Sequence, residues 1–215
     1  MMPLHNRQVM LAARPVGIPQ AQHFAIRSVP LREPRDGEVL VRNEFLSVDP
    51  AMRGWVNAAA NYSDPVGIGD VMRSFAVGTV IASRHPGYAE GDHVMGMLGW
   101  QEYAVTDTRP IRRKVAETDL PLSLALGVLG LNGVTAYFAL TEVGEPRPGD
   151  TVVVSTAAGS VGSAVGQIAK LAGCRTVGIA GGDAKVRLCV DAFGYDAAVD
   201  YRAAPETPLD EASAA

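Results

Sequence analysis

Up to about Arg113 the chain alternates apolar and polar positions in short runs: RQVMLAA, HFAIRSVP, GEVLVRNEFLSV, SFAVGTVIASRH, DHVMGML and QEYAVT. These runs are rich in Val, Ile, Phe and Thr, and turn residues at Pro34 to Gly37, His85 to Gly87 and Glu90 to Asp92 separate them. The pattern predicts an all-β module, closed into a partly open barrel. Near Leu120 the period changes. PLSLALGVLG and NGVTAYFALTEVG space their apolar residues at helical intervals and predict two helices. The turn EPRPGD (Glu145 to Asp150) then leads into TVVVST, an unbroken apolar strand of the kind buried on both faces of a parallel sheet.

From that strand the pattern runs on as helix SVGSAVGQIAKLAG, strand RTVGIAG, helix DAKVRLCVDAFG and short strand AAVD. This β-α-β-α-β order is the first half of a doubly wound sheet. After Tyr201 the segment RAAPETPLDEASAA offers a single Leu to dock it and reads as a disordered tail. The expected organisation is therefore α/β with an all-β domain: a barrel over 1–120, a partial nucleotide-binding domain with its leading helices over 121–201, and a tail over 202–215.

Composition narrows the function. With 215 residues, 47% hydrophobic and 20% charged, the chain can bury one full core and part of a second. Its 19 Lys and Arg against 23 Asp and Glu give a formal charge of -4 without a long basic run, which argues against nucleic acid as the main partner. No apolar stretch is long enough to span a bilayer, and the start MMPLHNRQVM lacks the apolar run of a signal peptide. The expectation is a cytoplasmic protein without a membrane partner. Two cysteines, Cys174 and Cys189, are too few for a disulfide scaffold or a four-thiolate zinc site, and His5, His23, His85 and His93 are scattered over turns and strands.

The candidate chemistry lies in STAAGSVGSAVGQ, where Ala157, Gly159 and Gly162 occupy the three places of a dinucleotide fingerprint. The second glycine lets the backbone approach a pyrophosphate, the third lets the helix pack close to the strand, and the helix amino end offers free N–H groups. Alanine in the first place fits only if that residue needs no positive φ. An acidic residue would be expected at the end of the second strand to read an NAD ribose, but the sequence there is Ala180, Gly181 and Gly182. Two glycines make room for a 2′-phosphate and supply N–H donors, and Lys185 brings a positive charge one turn on. These residues favour NADP over NAD. Two alternatives stay open: Asp183 stands close enough to serve NAD, and Lys185 can equally be a solvated helix residue.

LSVDPAMRGW, IGDVMRSFAVGTVIAS, GDHVMGMLGWQEYA, LGVLGLNGVTAYFAL, PRPGDTVVVSTAAGSVGSAVGQIAKLAGC and FGYDAAVDY together resemble the zinc-independent, NADP-dependent medium-chain dehydrogenase/reductases. The resemblance is to their alkenal, enone, leukotriene/prostaglandin and curcumin reductase branch, and it covers Arg7 to Tyr201. It implies a GroES-like β-barrel followed by a Rossmann domain, with substrate and nicotinamide in the cleft between. It implies that Gly159, Ser160, Val161 and Gly162 contact the pyrophosphate, and that Lys185 and Tyr201 contact the adenosine 2′-phosphate. Asp49, Pro50, Met52 and Arg53, with Asn132 and Thr135, would line the cofactor side of the cleft.

The implied reaction reduces the C=C bond of an α,β-unsaturated aldehyde or ketone: hydride reaches the β-carbon, charge grows on the carbonyl oxygen, and a proton follows at the α-carbon. No metal is expected, since the chain lacks the cysteines and the His-Glu pair that would ligate one. Tyr62, in the loop NYSDPV, is the candidate donor or substrate contact, the alternative being a tyrosine that is simply packed. Where the family often carries tyrosine in VDPYMR, this chain has Ala51, so one aromatic wall is absent. Members of the family continue with further strands and a segment that completes the barrel. Three readings follow: an enone reductase or a fragment of one, an NADP-binding module without catalysis, or an interaction protein that pairs through its exposed sheet edge. A homodimer is expected if the nucleotide domain is complete.

Overall fold

The computed structural model describes residues 5–59 and 63–203. The chain divides into two compact units, Met1–Leu126 and Gly127–Ala215.

In the first unit, strands β1 (His5–Leu11) and β2 (Phe24–Pro30) form an antiparallel hairpin. Strands β3 (Val39–Leu46), β4 (Ala76–Ser83), β5 (His93–Gly96), β6 (Tyr103–Thr106) and β7 (Ile111–Lys114) form an antiparallel sheet in the order β6-β3-β4-β5-β7. Isolated bridges Gln8↔Gln101 and Met10↔Val71 tie the hairpin to the loops around that sheet. Alternate residues of β3, β4 and β5 point inward, so Val39, Val41, Ala76, Val80 and Val94 build one core with Leu98 and Ala104. This is the GroES-like barrel unit. Two elements in it were not predicted from the alternation: β7, and the short helix α1 (Ala51–Trp55), which opens at Pro50 and buries Met52 and Trp55 beside Leu11, Val56, Val66 and Met72.

The first of the two predicted helices is a correction. PLSLALGVLG forms only a 3-10 turn over Leu122–Leu126, whose Ala125 packs with Val77 and Val115. Gly127 and Gly130 end the helical path: the Gly130 N–H donates to the Gly127 carbonyl at 3.0 Å, and the chain folds back against Gly133, where a Cβ would stand 2.8 Å from Val128 Cα.

The second unit holds helix α2 (Leu131–Phe138), extended by a π-helical turn over Ala139–Gly144, then β8 (Thr151–Ser155), α3 (Ser160–Leu171), β9 (Arg175–Ala180), α4 (Asp183–Asp191) and β10 (Ala197–Asp200). The strands are parallel in the order β10-β9-β8, with Val153 opposite Val177 and Val199 opposite Ile179. This is the first half of a Rossmann sheet. Burial of β8 on both faces is not observed: of its residues only Val154 is buried, and Val153 is 53% exposed. Among the described residues β8 pairs on one side alone, so it lies at an edge.

Candidate functional site

The glycine turn links β8 to α3. Its left-handed residue is Thr156 (φ 52°), one position before the alanine of the fingerprint, so Ala157 needs no positive φ. Ala157 is fully buried and its N–H donates to the Ile179 carbonyl at 3.1 Å, which pins the turn to β9. A Cβ on Gly178 would stand 2.9 Å from the Ala157 methyl, so the strand opposite gives up its side chain to seat that alanine. Gly159 caps α3, its N–H donating to Thr156 O at 2.8 Å. At Gly162 a Cβ would stand 2.9 Å from Ala157 Cα, the close helix-to-turn packing expected of the third glycine.

Neither a side-chain cap nor an acidic residue occupies the first turn of α3. The N–H groups of Ser160, Val161 and Gly162 are therefore free at the positive end of a twelve-residue helix. That is the chemistry of an anion seat.

The second strand ends beside this turn. Thr156, Ala158, Gly159, Ala180, Gly181, Lys185 and Tyr201 line a pocket of about 120 Å³. Four residues singled out in the sequence, Gly159, Gly181, Lys185 and Tyr201, thus meet in one place although they span β8 to the end of β10. Gly181 carries no side chain where its neighbours are close: a Cβ there would stand 2.8 Å from Tyr201 Oη and 2.9 Å from Arg202 Nε. Arg202 was missed in the sequence. Its guanidinium lies 5.6 Å from the Tyr201 ring centre, which adds a second cation beside Gly181.

Two expectations about this strand end change. Gly182 does not offer its N–H, which donates instead to Asp200 Oδ1 at 2.8 Å. The Arg202 N–H donates to the same oxygen at 2.9 Å, and these two bonds hold the Asp200 carboxyl below its ordinary range. Asp183, the alternative acidic anchor, is exposed at the start of α4 and is not among the residues lining the pocket.

The remaining candidates lie elsewhere. In the barrel unit Asp49, Pro50, Met52 and Arg53 line an apolar pocket of about 470 Å³ together with Phe24, Met72 and Trp100. Both charges there are engaged: Ser47 Oγ donates to Asp49 at 2.7 Å, and Arg53 Nε donates to Gly17 O at 3.0 Å. Asn132 and Thr135 belong to α2 of the second unit, where the Thr135 hydroxyl donates to Leu131 O at 2.7 Å. Tyr62 lies outside the described residues. Both cysteines are free and buried, and among the described residues no three His, Cys, Asp or Glu gather as metal ligands. No helix among those residues is long and apolar enough to cross a membrane.

A β-barrel unit followed by a βαβαβ unit with an anion-seating glycine turn defines a dinucleotide-binding architecture. Comparison with known proteins makes this specific. Residues 7–113 match the family described as the N-terminal domain of oxidoreductase. The chain is 43% identical over 198 residues to the NADPH-dependent curcumin reductase of Escherichia coli K12, covering 92% of this chain and 57% of that protein. It is 42% identical over 189 residues to prostaglandin reductase 1 of Sus scrofa, covering 87% and 55%. Among solved structures, CurA from Vibrio vulnificus in complex with NADPH superposes with a TM-score of 0.84 at 45% identity, over 92% of this chain and 58% of that one. The chain belongs to the zinc-independent medium-chain dehydrogenase/reductase family. It spans somewhat more than half the length of the relatives it matches.

Proposed function

We propose that this chain supplies the barrel and the adenine end of the nucleotide domain of an NADPH-dependent reductase acting on the C=C bond of α,β-unsaturated aldehydes or ketones. The observation that carries the reading is the convergence of Gly159, Gly181, Lys185 and Tyr201 on one pocket beside the free end of α3. The residues present fit such a cofactor. A side chain at Gly159 would meet Thr156 and one at Gly181 would meet Tyr201 and Arg202, so only glycine fits beside these groups; Ser160, Val161 and Gly162 present N–H donors to a pyrophosphate, and Lys185 and Tyr201 are assigned to a 2′-phosphate.

Bound NADPH supplies a hydride, and the β-carbon of the conjugated carbonyl receives it. The chain's part is to hold the two reacting carbons together and to stabilise charge on the carbonyl oxygen. Pro50 and Met52 of the barrel unit and Asn132 and Thr135 of the second unit are assigned as cofactor contacts, and Tyr62 as the donor or substrate contact. The names of the relatives, curcumin, prostaglandin and 2-alkenal reductases, support the substrate class.

The test is oxidation of NADPH by the purified chain on adding a simple aryl enone, using cofactor deuterated at the transferring position. Loss of cofactor absorbance with deuterium at the β-carbon is the expected result. Binding of NADPH without oxidation would favour the second reading, a cofactor-binding module that lacks turnover.

A further inference from the structure

Tyr195 stands behind the glycine turn, 2% exposed, in the segment between α4 and β10. Three glycines are shaped around it. A Cβ on Gly166 would overlap the phenol ring, one on Gly178 would stand 3.3 Å from Cδ1, and the Tyr195 hydroxyl donates to the Gly162 carbonyl at 2.7 Å.

That hydrogen bond begins a series. The peptide whose carbonyl belongs to Gly162 continues as the Ser163 N–H, which donates to Gly159 O at 2.8 Å. The peptide whose carbonyl belongs to Gly159 continues in turn as the Ser160 N–H, the first free donor of α3. Phenol, Gly162 peptide and Gly159 peptide are thus linked in line, and each bond polarises the next peptide in the same sense. The far end of the series is the free N–H of Ser160 at the amino end of α3.

We propose that Tyr195 is a positioning residue for the cofactor: through Gly162 and Gly159 it fixes and polarises the amino end of α3 where a dinucleotide pyrophosphate would bind. The inference rests on the reading given under Proposed function. Burial pushes the Tyr195 hydroxyl up to about 12, so it stays protonated, and a donor, across the working range of pH. Its distance in sequence from the glycine motif, 33 residues from Gly162, hides it from motif reading.

The test is Tyr195→Phe in the full chain, which keeps the ring and removes only the donor. Amide NMR of the cofactor-free protein is one readout: the Ser163 amide proton and the Ser160 amide nitrogen move upfield. Binding of NADPH and of NADH is the other: both dissociation constants rise by the same factor, about threefold to tenfold, because the pyrophosphate is common to both. Unmoved Ser160 and Ser163 resonances would overturn the proposal. Unchanged affinities with a lowered unfolding temperature would also overturn it, leaving Tyr195 as packing alone. Weakened NADPH binding with NADH unaffected would place its influence at the 2′-phosphate and overturn it as well. If the wild-type chain binds neither cofactor, the parent reading fails, and the resonance shifts alone decide whether Tyr195 governs the turn.

Discussion

Ala157 holds a place where a dinucleotide fingerprint usually has glycine, and the backbone explains how it can. The left-handed turn falls on Thr156, and the methyl of Ala157 fills the space over Gly178. Gly162 has no such freedom. A methyl there meets the backbone of Thr156 and Ala157, which cannot swing aside as a side-chain tip would. Gly162→Ala is expected to destabilise the second unit by about 1–3 kcal/mol through overpacking and to weaken cofactor binding. Thermal unfolding of the variant checks the first, and NADPH titration below its unfolding temperature checks the second. Gly159 and Gly162 stood out because a strand-turn-helix context gives their spacing meaning, and Lys185 because the end of the second strand carries no acidic residue. Arg202 was not, since nothing in its neighbours marks it until β10 returns the chain to Gly181. The bond from Gly182 to Asp200 was equally hidden, because it spans 18 residues and depends on the register of β9 with β10.

Among the elements, strands and helices of the second unit follow the sequence pattern closely, for they are separated by glycines and each keeps one period. The pattern failed where period and breakers disagree. PLSLALGVLG has helical spacing, yet its glycines stop the path after a 3-10 turn, and α1 is too short for a period to register. TVVVS reads as doubly buried but holds an edge among the described residues. What ties α3 to β9 is a polar clamp on Asp196. Lys170 forms an ion pair with it, and the Thr176 N–H donates to it at 2.8 Å. These bonds, Lys170 first, hold the Asp196 carboxyl down to about 2. A carboxyl lowered in the folded state stabilises that state above its unfolded pKa of about 3.9, and the contribution is lost as pH falls toward the folded value. Unfolding temperatures of wild type and Asp196→Asn should therefore differ at pH 6 and converge between about pH 4 and pH 2. A gap that stays constant through that interval would show that Asp196 contributes no charge-dependent stability.

Over the whole molecule, two units with different periods were legible from the change of texture near Leu120, and the compact units divide between Leu126 and Gly127. Alternation built the barrel, and the glycine turn marked the nucleotide end. Relatives aligned over 92% to 94% of this chain at 41% to 43% identity bind these two parts into one family. The pocket of Gly159, Gly181, Lys185 and Tyr201 is proposed to select a 2′-phosphate. Calorimetric titration of the full chain with NADPH and with NADH, repeated on Lys185→Ala, tests it most directly. The predicted result is a preference for NADPH of about tenfold or more, the worth of a charge-assisted contact, which Lys185→Ala largely removes while leaving NADH affinity unchanged. Equal affinity for the two cofactors, or a preference that survives the loss of Lys185, would contradict it.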